Sequence, residues 1–421
     1  MMNHYLPRIC DELLQDELAS SGAVLIEGAK WCGKTSTAQQ AAKSVLYMQD
    51  PDRAASNLAM ADTKPSLLLK GEMPRLIDEW QMAPVLWDAV RFEIDRRGLP
   101  GQFILTGSAV PVDGATAHTG TGRFARLLMR PMSLYESRES NGTVSLHDLF
   151  NGKHDLENEA SFSIEQYAFA ICRGGWPAAL SLSPKYALKT AVNYVEAVIN
   201  MDFQRVDGSE KNPERVRALL RSLARNISTL ASAQTIMADM QANDNTVSDK
   251  TLSSYMNVLR RIFVVEDQLA WQPSLRSRTA LRSSSKRQLV DPSIATAVMR
   301  ATPEKILEDF NSFGFLFEAL CTRDMRIYAQ ANDGSVFHYR DKSGLEADMI
   351  VALNDGRWGA VEVKLGSCQI EEAAKNLLAL KAKINLEKMG NPAFLLILTG
   401  GQYAYKRSDG VLVVPLACMK H

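Results

Sequence analysis

Eight consecutive residues, Gly28-Ala29-Lys30-Trp31-Cys32-Gly33-Lys34-Thr35, narrow the folds open to this chain more than any other feature. They match G-x-x-x-x-G-K-[ST], with apolar Ala23-Val24-Leu25-Ile26 before them and a Thr/Ala/Gln-rich helical stretch after them. A strand, a turn framed by glycines and a helix N-terminus together aim backbone N–H groups at phosphate oxygens. Lys34 is placed to reach the terminal phosphates of a nucleotide, and the Thr35 hydroxyl to bind Mg²⁺. The expected nucleotide-contacting stretch is Gly28 to Ser36. A chance glycine-rich turn is the competing explanation, and the strand–loop–helix context counts against it.

From Leu6 to about Ser140 strand-like apolar runs alternate with helical stretches, the pattern of an α/β layer with a mostly parallel sheet. The runs are Ala23–Glu27, Ser44–Met48, Arg75–Asp78, Gln102–Thr106 and a weaker Leu127–Leu134. Arg75-Leu76-Ile77-Asp78-Glu79 ends in two acids at the C-terminal end of its strand, where open parallel sheets bind ligands. There Asp78 would hold Mg²⁺ through water and Glu79 would act as general base on the attacking water. Gln102-Phe103-Ile104-Leu105-Thr106-Gly107-Ser108 ends in small hydroxyl residues, and Ser108, with Thr106 second, is the expected sensor of the γ-phosphate. Arg123, Arg126 and Arg130 follow a Gly-rich stretch, and Arg123 is favoured as the cation supplied to the transition state. Surface arginines in solvated ion pairs are the alternative.

These residues resemble a family of prokaryotic AAA-type ATPases that carry a C-terminal domain of unknown function. The resemblance lies in Gly28–Thr35, Leu76–Trp80, Phe103–Ser108, Arg123–Glu136 and Arg173-Gly174-Gly175-Trp176-Pro177. It implies an additional-strand P-loop fold and ATP rather than GTP. No guanine-reading N-K-x-D motif is evident.

Residues from about 141 to 300 read as mainly helical. Helices are expected at Glu214–Ile227, Ala233–Gln241 and from Ser248 or Asp249 to Phe263, with strand-like Val264–Trp271 and Gln288–Val290 beyond them. Three helices and a two-stranded ribbon outline a winged helix. Between Trp271 and Leu289 stand Arg276, Arg278, Arg282, Lys286 and Arg287 with no acidic residue, as a wing following a phosphate backbone would need. Arg260 and Arg261, on the preceding helix, are chemically able to read base edges. A packing module with a solvated basic loop is the alternative. Lys+Arg and Asp+Glu both number 48, so any nucleic-acid surface must be local.

In the last part of the chain Glu318 sits among apolar neighbours on a helix, Asp348 opens a strand, and Ala360-Val361-Glu362-Val363-Lys364 forms the next. Period-2 geometry puts Glu362 and Lys364 on one strand face. Asp348 and Glu362 would bind a divalent metal, with Lys364 orienting the attacking water and Glu318 completing the cluster. This order resembles the PD-(D/E)xK nuclease fold, whose archaeal Holliday-junction resolvase-like branch is the nearest match. A regulatory α/β cap whose acids form ion pairs is the other possibility.

The expected chain is α/β. A P-loop NTPase parallel sheet (1–140) leads through a helical lid or linker (141–205) to a winged-helix region (206–300). A C-terminal α/β restriction-endonuclease-like domain (301–421) follows. The expected ligands are ATP and Mg²⁺, with duplex or branched DNA and further copies of the chain as partners. A nucleotide-controlled switch that contacts a protein partner is the rival function. The six cysteines form no C-x-x-C pair and no apolar run approaches about 18 residues, so reduced thiols, no membrane span and a cytoplasmic location are expected.

Overall fold

The computed structural model describes residues 5–107, 121–202, 212–242, 244, 246–272, 284–384 and 386–421. They form two compact units, one built on residues 5–131 with Asn257–Val264, the other on residues 132–200, 212–256 and 265–421.

The first unit runs α1 (Ile9–Ser20), β1 (Ala23–Glu27), α2 (Lys34–Ala41), β2 (Ser44–Tyr47), α3 (Ala54–Thr63), β3 (Arg75–Asp78), α4 (Val85–Arg97), β4 (Phe103–Thr106) and β5 (Phe124–Leu128). All five strands are parallel, in the order β2-β3-β4-β1-β5. An extra strand, β4, therefore separates β1 from β3. Helices cover both faces, which is why the central strands read as unbroken apolar runs. Alternate side chains sort into two cores. Val24, Ile26, Leu76 and Ile104 pack with Leu14, Leu18 and Ala38. Ala23, Leu25, Ile77, Phe103 and Leu105 pack with Leu86, Trp87, Val90 and Ile94. Sequence periodicity missed the start of β5, because Phe124-Ala125-Arg126 is only half apolar. Phe124 earns its place by stacking on Trp87 with ring centroids 3.8 Å apart.

The second unit opens with β6 (Val144–Ser145), α5 (Leu146–Phe150), β7 (Glu157–Glu159), α6 (Ile164–Arg173), α7 (Pro177–Leu180) and α8 (Pro184–Ala197). It continues with α9 (Pro213–Arg225), α10 (Ala233–Gln241), α11 (Asp249–Arg261), α12 (Pro292–Met299), α13 (Pro303–Glu308) and α14 (Phe310–Gln330), of which α11 straddles the two units. Last come β8 (Gly334–Arg340), β9 (Glu346–Leu353), β10 (Trp358–Lys364), α15 (Ile370–Lys383), β11 (Leu395–Thr399), β12 (Tyr403–Lys406), β13 (Leu412–Pro415) and β14 (Met419–Lys420). Seven strands form one mixed sheet in the order β7-β12-β13-β11-β10-β9-β8. The β10–β11 and β11–β13 pairs are parallel, and α15 supplies the crossover that parallel β10 and β11 require. Its Ala373, Leu377 and Leu380 pack on Trp358, Ala360 and Ile397.

Residues 141–205 are not a purely helical linker. β7 pairs with β12 and β6 with β14, so the segment adds strands to the C-terminal sheets. The Arg173–Pro177 motif is structural in this unit. Arg173 grips Glu139 with two bonds of 2.8 and 2.6 Å, the Gly175 N–H donates to Asp291 at 3.0 Å, and Trp176 Nε1 donates to Ser293 at 2.9 Å. Asp291 in turn receives Arg323 Nη1 at 2.9 Å, while Arg323 Nη2 reaches Asp324 at 2.7 Å.

The expected ribbon after α11 reduces to two antiparallel bridges, Val265↔Leu289 and Gln268↔Lys286, among the described residues. Among the described residues no helix is long and apolar enough to cross a membrane.

Candidate functional site

The loop between β1 and α2 has the conformation its glycines permit. Gly28 has φ +148°, and a Cβ there would fall 2.0 Å from the Met129 carbonyl oxygen, so only glycine lets the backbone pass this close. Gly33, at φ 106°, is the left-handed residue that turns the chain into α2. Lys34 is buried, and its Nζ donates to the carbonyls of Gly28 and Ala29, each at 2.8 Å. The ammonium is thus drawn back over the loop that Gly28 to Ser36 form.

Parallel pairing brings the end of β3 to the same edge of the sheet. The Thr35 hydroxyl donates to Asp78 Oδ1 at 2.7 Å, and Thr106, at the end of β4, donates to the same oxygen at 2.5 Å. Gln49 Nε2 donates to the other oxygen, Oδ2, at 2.5 Å. Asp78 is 2 % exposed, so these three donors are what make its burial tolerable. Sequence reasoning placed Thr35 and Asp78 but assigned nothing to Gln49, which lies beyond β2 with no local motif around it.

Glu79 follows in the left-handed region at φ 57°, a conformation that costs a non-glycine residue roughly 1–3 kcal/mol. Gln81 Nε2 donates to its carboxylate. Burial, then the adjacent Asp78 charge, raise the Glu79 pKa, while the charges of Lys34 and Lys30 pull it down. The acid therefore sits within electrostatic reach of the phosphate-binding loop and is a stronger base than an exposed glutamate.

Ser108 lies outside the described residues, and of the two hydroxyls at the end of β4 the described one, Thr106, is committed to Asp78. Arg123 stands at the wrong end of the sheet to serve its own loop. The β1–β5 register pairs Ala23 with Phe124 and Glu27 with Leu128. Arg123 precedes that stretch, about 16 Å along the strand from Leu128 at about 3.3 Å per residue. Its guanidinium pairs with Asp95 at 2.9 Å on the return helix α4. Arg126, in mid-strand, pairs with Glu27 at 2.6 Å. Arg130 is the one of the three at the loop edge, where the guanidinium of Arg8 bridges its carbonyl and that of Cys32, both at 2.8 Å. Arg8, buried and more than twenty residues before the loop, braces it in a way no local pattern announces.

In the second unit α14, β9 and β10 bring Glu318, Asp348, Glu362 and Lys364 together. Lys364 Nζ lies 2.8 Å from Glu362 Oε2 and 3.8 Å from Asp348 Oδ2. The Val363 N–H donates to Asp348 Oδ2 at 2.9 Å. A fifth member joins them. Lys286 Nζ lies 2.6 Å from Glu318 Oε1 and 3.3 Å from Asp348 Oδ1. Burial pushes the Glu318 carboxyl up to about 7 against the pull of Lys286. Burial and the Asp348 charge push Glu362 up to about 8. Burial works against Asp348 too, but Lys286 and Lys364 hold it below its ordinary value.

One sequence expectation changes here. Lys286 is not on a solvated wing: it is 6 % exposed and spent on two carboxylates. Arg287 is likewise engaged, with Asp267 at 2.9 Å and the Ala231 carbonyl at 2.9 Å. Both were assigned to DNA because the basic run shows no acid nearby in sequence, whereas their acids arrive from elsewhere in the chain. Arg276, Arg278 and Arg282 lie outside the described residues, and Arg260 and Arg261 lie in the last turn of α11. The metal assignment to Asp348 and Glu362 stays a proposal, and both acids contact Lys364, at 3.8 and 2.8 Å. Among the described residues no group of three His, Cys, Asp or Glu side chains is arranged to hold an ion.

Residues 20–137 match the AAA domain family, residues 164–305 a domain of unknown function (DUF8612) and residues 313–419 another (DUF4143). Two curated relatives are 22% identical over 406 residues, covering 96% of this chain and 82% of theirs. They are the uncharacterized proteins Mb2031c of Mycobacterium bovis and Rv2008c of Mycobacterium tuberculosis. Among solved structures, the Walker-type ATPase PABY2304 of Pyrococcus abyssi is 14% identical, with a TM-score of 0.42 over 69% of this chain and 94% of that one. The signal-transduction STAND ATPase PH0952 of Pyrococcus horikoshii is 13% identical, with a TM-score of 0.22 over 77% of this chain and 50% of that one. Both structural likenesses are too remote to assign anything to this chain. The AAA match covers β1 to β5, the loop and both acids of β3, so the first unit carries an AAA, P-loop ATPase-like domain.

Proposed function

We propose that this chain is an Mg²⁺-dependent ATPase whose reaction takes place at the β1, β3 and β4 edge of the first unit. The observation that carries the reading is the direct Thr35–Asp78 contact at 2.7 Å, a hydroxyl and a carboxylate side by side beside a phosphate-type loop. Hard oxygen donors of this kind suit Mg²⁺, which when bound would neutralise charge on the β- and γ-phosphates. Lys34 exchanges its two carbonyl partners for phosphate oxygens. Backbone N–H groups from Gly28 to Ser36 hold the remaining phosphate oxygens, and Glu79 orients the attacking water and accepts its proton. Arg130, at the loop edge, is better placed than Arg123 to supply a cation within one chain; Arg123 is left to act, if at all, on a neighbouring copy.

Release of phosphate from ATP by the full chain, abolished by chelating Mg²⁺, is the expected outcome. Tight ATP binding with negligible turnover, with or without DNA, would instead make the chain a nucleotide-controlled switch. The pH profile carries a further expectation. A general base works ionised, so kcat/KM, which reports the free enzyme, should fall as pH drops through the Glu79 pKa. Because burial raises that pKa, the acid limb should lie above the usual carboxylate range. An acid limb at or below about 4.3 would contradict the role.

Association with DNA is the second reading, supported by the basic composition of residues 271–289. With Lys286 and Arg287 engaged elsewhere, it rests on Arg276, Arg278 and Arg282 together with Arg260 and Arg261. Neutralising the first three should flatten the salt dependence of duplex binding by about 0.9 in slope per lost phosphate contact. Unchanged affinity at both low and moderate salt would remove DNA from the function.

A further inference from the structure

The carboxylates of the second unit surround an ammonium. Lys286 comes from outside the α14–β9–β10 arrangement that carries Glu318, Asp348, Glu362 and Lys364, and it enters the cluster almost fully buried. An ion bound by both Glu318 Oε1 and Asp348 Oδ1 would need to lie about 2.0–2.6 Å from each. Lys286 Nζ already stands 2.6 and 3.3 Å from those two atoms, so ion and ammonium would claim the same space. Glu362 is taken by Lys364 at 2.8 Å.

The stretch that delivers Lys286 is fastened on every side. Lys286 and Gln268 exchange two backbone hydrogen bonds of 2.9 Å. The Gln268 side chain then donates to the carbonyls of Phe337 at 2.9 Å and Asp348 at 3.0 Å. The His338 N–H donates to Leu269, its carbonyl accepts from Trp271, and its Nε2 meets the Ser284 carbonyl at 3.0 Å. Withdrawing Lys286 would break this set together.

We propose that Lys286 is the resident cation of the C-terminal carboxylate cluster. The cluster is then a clasp joining residues 265–272 and 284–289 to the sheet of residues 334–364, and not a metal-dependent nuclease centre. The acids receive the lysine, and a divalent ion binds only when that ammonium is removed. The inference is independent of ATP turnover.

The test is Mn²⁺ titration of the full-length chain by electron paramagnetic resonance, in an Asp78→Asn background that silences the first-unit site. Lys286→Met, close in length and uncharged, should gain one Mn²⁺ per chain with affinity at least tenfold above the parent. Adding Asp348→Asn should remove that gain. If Lys286→Met folds only when Mn²⁺ is supplied, judged by circular dichroism, the exchange of ammonium for metal is equally supported. Three results overturn the proposal. These are Mn²⁺ binding by the parent at a site lost in Asp348→Asn, a folded Lys286→Met that binds no more Mn²⁺ than the parent, and a Lys286→Met that folds neither with nor without the ion.

Discussion

Glu79→Gln is expected to bind ATP as tightly as the wild type and to lower kcat by about 10²–10⁴-fold, the usual contribution of a positioned general base. The amide keeps the shape and the contact with Gln81 but cannot take a proton from water. Lys34→Ala should act on the other quantity. Its ammonium, held by two loop carbonyls at 2.8 Å, is proposed to neutralise phosphate in the ground state as well as during reaction, so its loss should abolish binding itself. Binding is read by equilibrium titration with a fluorescent ATP analogue and turnover by phosphate release. Wild-type turnover in Glu79→Gln would show that the proton goes elsewhere. Unchanged affinity in Lys34→Ala would show that the loop is not the phosphate site.

The second large effect concerns stability. Arg323 is buried and bonded to Asp291 and Asp324, which also hold the Gly175 and Leu134 N–H groups. Arg323→Met leaves two buried carboxylates without their cation, and breaking such a pair costs about 3–5 kcal/mol. A large drop in the urea midpoint of the full-length protein should follow. The triple change Arg323→Met, Asp291→Asn, Asp324→Asn should recover part of it, because no uncompensated charge remains. A midpoint within experimental error of wild type for Arg323→Met would mean that the two acids are neutral in the folded state. Burial does push Asp324 up, to about 6, and this sets the pH at which to look: the loss should be larger at pH 8 than at pH 5, where the orphaned acid protonates.

Much of the first unit was legible in the chain. Ala23–Glu27 and Arg75–Asp78 match their strands residue for residue, because central strands of a two-sided parallel sheet are continuously apolar and leave a clear local signature. The phosphate-type loop was legible for a similar reason: backbone N–H groups do the work, and glycine spacing sets the backbone. In the second unit the order of α14, β9 and β10 was also readable, as was the convergence of Glu318, Asp348, Glu362 and Lys364. The short β7 and β12 were not: Glu157–Glu159 is a strand only because it pairs with Tyr403–Lys406, which in turn pairs with β13.

What the sequence determined by itself was local and set within a few consecutive residues: the phosphate-type loop after β1, and the acids Asp78 and Glu79 at the end of β3. What the tertiary structure alone decided was where isolated charges end up. Arg123 and Arg130 belong to one short stretch of the chain, in which sequence favours Arg123, yet parallel register sends Arg123 to the foot of the sheet and Arg130 to the loop. Lys286 reads as one of five cations in an acid-free run, yet its partners are Glu318 and Asp348, 32 and 62 positions away. Backbone geometry and apolar periodicity are local and leave their mark in sequence. The energy of a buried charge depends on whichever opposite charge the fold delivers, and that information is held by the contacts and not by the neighbours in the chain.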